Sequence, residues 1–307
     1  MIVVGDVGGT RTRLALAAKA DGHWRITGVE ERRTAPDILA AIAAFVRKSG
    51  PVQAAAFSGA GPVSAEGSIR LTNIGVELAP AALAAAAGVA RAVVVNDFGA
   101  IATAIPHLPP ETLAACGGGA RVPGMPVAVL GPGTGLGMAI AAPAPGGWVA
   151  ITGEGGHADI APVDDEELEI WQRLRHAHGR LSAESVLSGP GLERLYAALA
   201  GKSLAAPEID AAAWSGKPEA LRAHALFTRW LGRVAGNLAL IAGARGGVYL
   251  AGGILPRWSG RFDVAGFRRA FEDKPPYVEW LRAIPSYIVT HPQPGLLGLA
   301  VLADAAA

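Results

Sequence analysis

Glycine-rich segments flank one Asn–Asp pair in this chain, and these residue types suit phosphate chemistry. An apolar strand pattern ends at Asn96 and Asp97, while glycine turns occur upstream at 5–10 and downstream at 131–137. Transfer of a phosphoryl group to an alcohol needs an aligned hydroxyl, a base that takes its proton, and amides and a metal ion that hold the phosphates. A carboxylate between two glycine turns could provide these parts.

The first glycine turn lies between two strand-like segments, 2–4 and 14–17. A dinucleotide-binding turn or a P-loop would lead from a strand into a helix, so the segment is predicted to be a hairpin turn and neither of those motifs. Two further glycine motifs occur at 153–157 and 251–254. Taken alone, such motifs also fit ordinary tight turns or close backbone packing.

The elements that position these motifs are expected to form two lobes, because 307 residues exceed the usual size of a single core. Apolar residues make up 51% of the chain and charged residues 17%. The longest apolar run, 78–90, is shorter than the roughly 20 residues of a membrane span and contains Pro80. We therefore expect no transmembrane helix, and the lack of an export-signal pattern at the N-terminus favours the cytoplasm.

Composition argues against several other classes of protein. The single Cys116 excludes an internal disulfide framework and a multi-cysteine zinc site, and we expect it to be a loop thiol without a role. The formal net charge of +1 gives no support to nucleic-acid binding. No dense basic run changes that interpretation.

Periodicity and stop signals predict a strand–turn–strand unit followed by strands alternating with helices, and this plan occurs twice. The main predicted strands are 2–4, 14–17, 53–58, 92–95, 127–130, 137–142, 148–151, 247–251 and 287–290, and the main helices are 37–48, 79–88, 98–105, 164–178, 220–242, 259–283 and 296–307. Asp37 is expected to cap its helix, and 109–126 to form a surface loop. The plan predicts two related α/β lobes with a cleft between them.

Taken together and in order, the motifs resemble those of bacterial glucokinases of the non-repressor type, within the hexokinase–actin–Hsp70 superfamily. The matching segments run nearly from end to end: 6–10, 96–98, 153–157, 182–184, 187–192, 236–240, 251–254 and 294–298. The resemblance implies an α/β fold of two actin-like (ribonuclease H-like) lobes with a central nucleotide and sugar cleft. We expect a small lobe at 1–107 plus 290–307 and a large lobe at 108–289.

The resemblance also implies ATP and Mg²⁺ as cofactors, held largely by the glycine motifs. Glycines let the backbone approach phosphates closely. The first phosphate loop would comprise Gly5, Asp6, Val7, Gly8, Gly9 and Thr10, with Asp6 holding Mg²⁺ through water. The second phosphate loop would comprise Gly133, Thr134 and Gly135, and Gly252 and Gly253 would admit the base and ribose of ATP.

Asp97 is the catalytic base that the resemblance implies. Its carboxylate would orient the sugar hydroxyl and accept the proton late, as the bond between phosphorus and oxygen forms. An Asp in front of a helix is also a good N-cap, and the two roles could coexist.

The resemblance further implies a set of sugar-binding residues: Asn73, Asn96, Asp97, Glu154, His157 and Glu184. Carboxylates and amides can each bind two adjacent hydroxyls of a hexose. Two glycines separate Glu154 from His157, so both could point into one cavity. The Glu-x-x-His spacing also suits a metal pair, although no third ligand stands out. Glu184 could instead be a carboxylate at the start of a helix.

The chain departs from the family pattern in a segment that helps to line the sugar pocket. Thr72 and Asn73 are kept, but Val76 stands where these glucokinases carry Trp, and Arg11 stands where the family often has Asn. The missing ring could loosen the pocket or admit another hexose. The departure concerns the identity of the sugar and leaves the prediction of phosphoryl transfer unchanged.

The expected function is ATP-dependent phosphorylation of a hexose, with glucose as the first candidate and glucose 6-phosphate as its product. A kinase for another sugar or sugar derivative is the alternative within the class. A catalytically inactive sugar- or nucleotide-binding module is the alternative outside it. A DNA-binding repressor is disfavoured, since the phosphate loop begins at residue 5. We expect a homodimer from family habit and from the apolar face of helix 220–242.

Overall fold

The computed structural model of the chain describes residues 1–71, 74–258 and 260–306. Asn73, which is expected to bind the sugar, and its neighbour Thr72 lie outside these residues. No helix within the described ranges combines the length and the apolar character that crossing a bilayer requires.

Strands and helices follow the mixed pattern that the sequence predicts. The strands are β1 (Ile2–Val7), β2 (Arg11–Ala20), β3 (His23–Arg33), β4 (Ala54–Gly59), β5 (Ile69–Leu71), β6 (Val76–Leu78), β7 (Ala92–Asn96), β8 (Leu113–Ala115), β9 (Val127–Pro132), β10 (Leu136–Ala144), β11 (Gly147–Gly153), β12 (Val248–Leu250) and β13 (Ser286–Val289). The helices are α1 (Ile38–Ser49), α2 (Pro80–Ala87), α3 (Asp97–Ala104), α4 (Asp165–His178), α5 (Ala183–Val186), α6 (Gly189–Ala200), α7 (Ala206–Trp214), α8 (Pro218–Ala242), α9 (Val264–Glu272), α10 (Val278–Arg282) and α11 (Pro294–Ala305).

Contacts within the chain divide it into two units. The first unit comprises Met1–Thr112, Ala139–Gly153 and His291–Ala307, and the second comprises Leu113–Met138 and Glu154–Thr290. This division differs from the expected lobes by grouping Ala139–Gly153 with the first unit. The lobe boundaries at 107 and 290 therefore remain a prediction.

The first sheet has the order β3-β2-β1-β4-β7. β1 pairs antiparallel with β2 and parallel with β4, and β4 pairs parallel with β7. The hairpin of β1 and β2 confirms the predicted strand–turn–strand start. However, β1 continues to Val7, so Gly5 and Asp6 lie inside the strand and the turn itself is shorter than predicted.

Alternate residues of the first sheet face two separate cores, because successive side chains of a strand point to opposite faces. Val3 packs with Ile42 of α1 and Leu83 of α2 on one face. Val4 packs with Leu299 of α11 on the other face. Each such side chain contributes roughly 1.5–3 kcal/mol when fully buried, so both helical layers hold the sheet firmly.

The second sheet has the order β11-β10-β9-β12-β13-β8. β12 is parallel to β9 and to β13, while β8 runs antiparallel to β13. In the second unit, Trp230 and Leu231 of α8 are fully buried in a core that also holds Phe267 of α9. The apolar face of α8 is thus largely used inside the unit. A role of this helix in a dimer interface, which the sequence suggested, remains a prediction, and Leu221 and Ile241 of the helix are exposed.

Residues 109–126 are not the plain surface loop that the sequence predicts. They contain β8, which pairs with β13. Cys116 follows β8 and is buried rather than placed in an open loop, and burial raises the pKa of its thiol to about 11. Gly118 has a φ of +96°, and a Cβ there would lie 2.2 Å from the Ile284 carbonyl oxygen. A distant part of the chain therefore orders this segment.

Some helix predictions are confirmed and others need correction. Segment 259–283, predicted to be helical with an interruption at Pro275 and Pro276, holds α9 before these prolines and α10 after them. The sequence interpretation missed α6 and α7, as well as strands β3, β5 and β6. Asp37 does precede α1, but its side chain caps nothing and is bonded to Arg32 at 2.9 Å. By contrast, α4 begins after a capping Asp164, as its acidic first turn predicts.

Candidate functional site

The site residues of the first unit meet at one edge of its sheet. β1, β4 and β7 are parallel, so their carboxyl ends lie along the same edge. The turn at 8–10 follows β1, Gly61 lies just beyond β4, and Asn96 and Asp97 join β7 to α3. Ligands of open α/β sheets bind outside the carboxyl ends of the strands, so this edge is where a ligand is expected.

The first glycine turn is tight and held from outside. The Gly8 amide donates to the Arg11 carbonyl at 2.9 Å. Thr34 donates its hydroxyl to the Gly8 carbonyl at 2.7 Å and its amide to the Thr10 carbonyl at 2.9 Å. Gly9 and Thr10 are exposed at the tip. A fixed turn with an exposed tip can present backbone amides and a hydroxyl to phosphate oxygens.

Gly5 and Val7 serve strand pairing and packing, and not the phosphate contact that was expected of them. Both lie in the paired strand β1, and Val7 is fully buried. A Cβ at Gly5 would lie 2.6 Å from the ring of Phe57, so this glycine is needed for packing. The geometry therefore supports phosphate contact only for the residues from Gly8 to Thr10.

Asp6 is the acidic group next to this turn and is partly buried near the end of β1. Burial raises the pKa of its carboxyl, while the hydrogen bond from Ser58 and the charge of Arg13 act in the opposite direction. The Ser58 hydroxyl donates to Asp6 Oδ1 at 2.8 Å. Register explains these partners, since both Ser58 and Arg13 sit directly opposite Asp6 on the neighbouring strands.

Asn96 and Asp97 have different positions and hydrogen bonds at the start of α3. Asn96 is the N-cap, and its Oδ1 accepts from the amides of Phe98 at 2.9 Å and Gly99 at 3.2 Å. Its Nδ2 donates to the Gly61 carbonyl at 3.1 Å. The N-cap of α3 is therefore Asn96. The expectation that Asp97 could cap this helix is wrong. Asp97 is the first helical residue, and its Oδ1 accepts from the Phe98 amide at 2.9 Å.

The second phosphate loop lies between β9 and β10 of the second sheet. The Gly133 amide donates to the Gly135 carbonyl at 2.8 Å, which closes the turn, and Thr134 is exposed at its tip. The Gly189 amide at the start of α6 donates to the Gly133 carbonyl at 2.8 Å. A Cβ at Gly133 would meet nothing within 4 Å, so one side of this turn is open.

Gly252 and Gly253, after β12, differ from each other. Gly252 has a φ of +84°, and a Cβ there would lie 2.5 Å from the Pro132 carbonyl oxygen. Close packing against β9 therefore explains Gly252. No atom lies within 4 Å of a Cβ placed at Gly253, so only this glycine leaves open space of the kind a ribose or base would need.

Glu154 and His157 lie on one short turn of the second unit. Residues Gly155–His157 form a single 3₁₀ turn, and the His157 amide donates to the Glu154 carbonyl at 3.0 Å. Both side chains are exposed. The intervening glycine Gly156 is buried, and a Cβ there would lie 2.1 Å from the Leu136 carbonyl oxygen. The two polar side chains thus stand on a turn that is pressed against the start of β10.

Glu184 belongs to α5 and contacts the second phosphate loop. Its Oε2 accepts from the Leu136 amide at 2.8 Å. α5 itself begins with a capping box, in which Ser182 and Ser185 satisfy each other's backbone. Glu184 is thus a helix-start carboxylate, as one interpretation had it, but it acts on a loop far away in sequence.

Comparison with known proteins agrees with this arrangement. A family model described as glucokinase matches residues 3–306. A glucokinase of Chromobacterium violaceum is 40% identical and covers 98% of this chain and 89% of its own. A glucokinase of Yersinia pestis is 42% identical over 96% of this chain and 94% of its own. The chain belongs to the glucokinase family.

A solved glucokinase from an Antarctic psychrotroph extends the likeness to structure. It superposes with a TM-score of 0.89 at 31% identity, covering 99% of this chain and 98% of the other. The actin-like two-lobe α/β class is thereby confirmed, as is the assignment of the chain as a hexose kinase. In a glucokinase, nucleotide and sugar must both be bound. The candidates for this binding are the sheet edge with Asp6, Asn96 and Asp97, and the loops of the second unit.

The resemblance implies a metal ion that accompanies ATP, and the acidic side chains near the glycine turns suit Mg²⁺ better than zinc. Within residues 1–71, 74–258 and 260–306, no group of three or more His, Cys, Asp or Glu could hold a metal. Glu154 and His157 therefore lack the third ligand that a zinc site requires. Mg²⁺ keeps several waters and binds one or two carboxylates together with substrate phosphates. Asp6, a partly buried carboxylate beside an exposed glycine turn, fits this need.

Three residues that support the site were missed at the sequence level. Ser58 holds Asp6, Thr34 holds the glycine turn, and Gly61 receives the Asn96 amide. None belongs to a recognisable motif, and each acts across 26 to 52 residues of sequence. The parallel pairing of β1, β4 and β7 would have indicated Ser58 and Gly61, and the antiparallel pairing of β2 with β3 would have indicated Thr34.

Proposed function

We propose that the protein transfers the terminal phosphoryl group of Mg-ATP to the 6-hydroxyl of glucose, with Asp97 as the base. The observation that carries the proposal is the position of Asp97. It begins α3 at the sheet edge that also presents Asp6 and the exposed turn at Gly9 and Thr10. A helix N-terminus stabilises negative charge, so Asp97 suits a carboxylate that must stay ionised until it accepts a proton.

In the mechanism, Asp97 orients the sugar hydroxyl and accepts its proton late, as the new bond to phosphorus forms. Asn96 binds a neighbouring hydroxyl and keeps α3 in place through the two hydrogen bonds that it accepts as the N-cap. Glu154, His157, Glu184 and Asn73 bind the remaining hydroxyls. Hydroxyls bound by several carboxylates and amides leave the hexose few orientations, which keeps the reacting oxygen in line with the phosphorus.

On the nucleotide side, the backbone of Gly8, Gly9 and Thr10 and that of 133–135 would bind phosphate oxygens, and Gly253 would leave room for the ribose. Asp6 would hold Mg²⁺ with the phosphates. When bound, the ion neutralises charge on the phosphates and so favours attack by the hydroxyl. The proposal further includes that the protein supplies glucose 6-phosphate to glycolysis, that it lies in the cytoplasm, and that it forms a homodimer. The dimer is supported by family resemblance.

A coupled assay of ADP release tests this function directly. Purified protein with Mg-ATP is supplied in turn with glucose, other hexoses, amino sugars and sugar acids, and Asp97→Ala serves as the control. The proposal expects the fastest turnover with glucose and its loss in the variant. ADP release that does not depend on any sugar, or none at all, would instead favour a binding module without kinase activity.

Val76 is the observation that keeps a second sugar in view. It lies in β6 opposite Leu71 and packs partly against the first core instead of presenting an aromatic ring. A preference for a sugar larger than glucose in the same assay would move the function to that sugar and leave the mechanism unchanged.

A further inference from the structure

The carboxylate of Glu184 is hydrogen-bonded to the second phosphate loop within the protein itself. Its Oε2 accepts from the Leu136 amide at 2.8 Å. The loop is shaped for this contact, because a Cβ at Gly135 would lie only 2.4 Å from the same oxygen. A hydrogen bond from a backbone amide to an ionised carboxylate is stronger than one between neutral groups, so this contact restrains the loop.

The segment that carries Glu184 fastens the loop at a second point. Ser188, the N-cap of α6, donates its hydroxyl to the Glu184 carbonyl at 2.8 Å, which ties the start of α6 to α5. The next residue, Gly189, donates its amide to the Gly133 carbonyl at 2.8 Å. Residues 184–189 therefore hold the phosphate loop at both its beginning and its end.

The turn of Glu154 and His157, which we propose binds the sugar, is also joined to this segment. The Ala183 amide donates to the Ala158 carbonyl at 2.9 Å, which joins α5 to the turn of Glu154 and His157. Gly156 of that turn lies against the Leu136 carbonyl, where even a methyl group has no room. The turn, α5 and the loop are thus packed through their backbones, with the Glu184 carboxylate at the junction.

We propose that Glu184 is a positioning residue that couples sugar binding to nucleotide binding. The inference rests on the proposed function, in which Glu184 binds a sugar hydroxyl. Within the part of the chain that the structure describes, Oε2 is engaged by Leu136 and Oε1 accepts no hydrogen bond. A sugar hydroxyl can therefore bind Oε1 while Oε2 keeps the loop. The bound sugar restricts rotation of the carboxylate and thereby orders the loop that receives the phosphates.

This arrangement predicts positive coupling with a defined sign. Glucose should tighten nucleotide binding, and the nucleotide should tighten glucose binding by the same factor, because binding free energies are linked reciprocally. Coupling of this kind usually amounts to about 5-fold to 150-fold in affinity. Isothermal titration with the Mg²⁺ complex of a non-hydrolysable ATP analogue, in the absence and presence of saturating glucose, measures the factor.

Two substitutions of Glu184 separate its two contacts. Glu184→Ala removes both, so the analogue should bind more weakly even without sugar, and the coupling factor should fall to about 1. Glu184→Gln keeps an oxygen that can accept from the Leu136 amide. It should therefore bind the analogue nearly as the wild type does without sugar, with a reduced coupling factor.

Glu154→Gln is the matched control, because Glu154 lies on the same sugar turn but makes no side-chain bond to the loop within the described residues. It should weaken glucose binding and keep the coupling factor once glucose is saturating. Circular dichroism and thermal melting establish that each variant is folded, and Glu184→Gln carries the test if the alanine variant is not.

The inference is overturned if Glu184→Ala, folded, binds the analogue as tightly as the wild type and retains its coupling factor. A coupling factor of 1 in the wild type would overturn it as well. Both results are distinct from failure of the proposed function, which would appear as wild-type protein that turns over no sugar at all.

Discussion

The contact between α3 and α11 offers the sharpest structural test of the site, because α3 carries Asp97 at its start. Gly298 of α11 lies against α3, and a Cβ there would stand 1.8 Å from the Ala100 carbonyl oxygen. Gly295 is one turn earlier in the same helix, and the nearest atom to a Cβ there is Ile101 Cγ1 at 4.0 Å. Gly298→Ala and Gly295→Ala therefore add the same methyl group to the same helix, with and without a collision.

The expected magnitudes follow from these distances. Carbon and carbonyl oxygen approach to about 3.3 Å, so Gly298→Ala must move the two helices apart by roughly 1.5 Å. Overpacking of this kind costs about 1–3 kcal/mol and sometimes more, against a gain of up to about 1 kcal/mol in helix propensity. We expect a net loss near 2 kcal/mol for Gly298→Ala, and a neutral or slightly stabilising effect for Gly295→Ala.

Thermal melting and the ADP-release assay together decide the matter. A loss of about 2 kcal/mol lowers Tm by roughly 3 °C in a protein of 307 residues. Because a misplacement of about 1 Å can cost about 10²-fold in rate, kcat of Gly298→Ala should fall at least tenfold while Gly295→Ala keeps wild-type kcat. If the two variants match each other in both Tm and kcat, the close approach of α11 to α3 does not position the base.

Three further outcomes are expected. Asp97→Asn should lower kcat by about 10²- to 10⁴-fold with little change in the KM for sugar, measured by ADP release, because it removes only the proton acceptor; a loss below tenfold would reassign the base. Asn96→Asp keeps the helix cap but has no N–H for the Gly61 carbonyl, so urea unfolding should show a loss of about 1–2 kcal/mol, and Asn96→Ala should lose about 1 kcal/mol more; equal losses would show that the cap contributes nothing. Burial raises the pKa of Asp6 above the ordinary 3.8, so its neutral form is favoured in the fold, and its contribution to stability is present at low pH and lost as pH rises through the raised pKa. Asp6→Asn should therefore raise Tm of the nucleotide-free protein at pH 7 and match the wild type below about pH 3.8; a lower Tm at pH 7 would contradict this.

Local signals in the sequence predict local structure well here. The glycine turn between two apolar segments predicts the hairpin of β1 and β2, and the acidic first turn after Asp164 predicts α4. α6 was missed although Ser188 caps it and Pro190 stands near its start, which are ordinary helix signals. This miss therefore lay in the interpretation and not in the sequence.

Contacts between distant segments are what the sequence does not reveal. β8 lies in a stretch rich in glycine and proline, and it becomes a strand only because β13 pairs with it. Glu184 reaches Leu136 across 48 residues, and Asn96 reaches Gly61 across 35. Pattern reasoning identifies a polar residue as a candidate ligand, but it does not tell which backbone group the side chain already holds. Strand register and helix packing decide that.

This double use of polar side chains bears on how mutations of the site should be interpreted. Asn96 caps α3, and Glu184 holds Leu136, so an alanine at either position removes structure together with chemistry. Glu154 and His157 are exposed on their turn, and among the described residues they make backbone bonds only, so their loss tests ligand contact more cleanly. Activity lost in an alanine variant of Asn96 would overstate its contact with sugar. Replacements that keep one bond and remove another, such as Asn96→Asp and Glu184→Gln, can separate the two contributions.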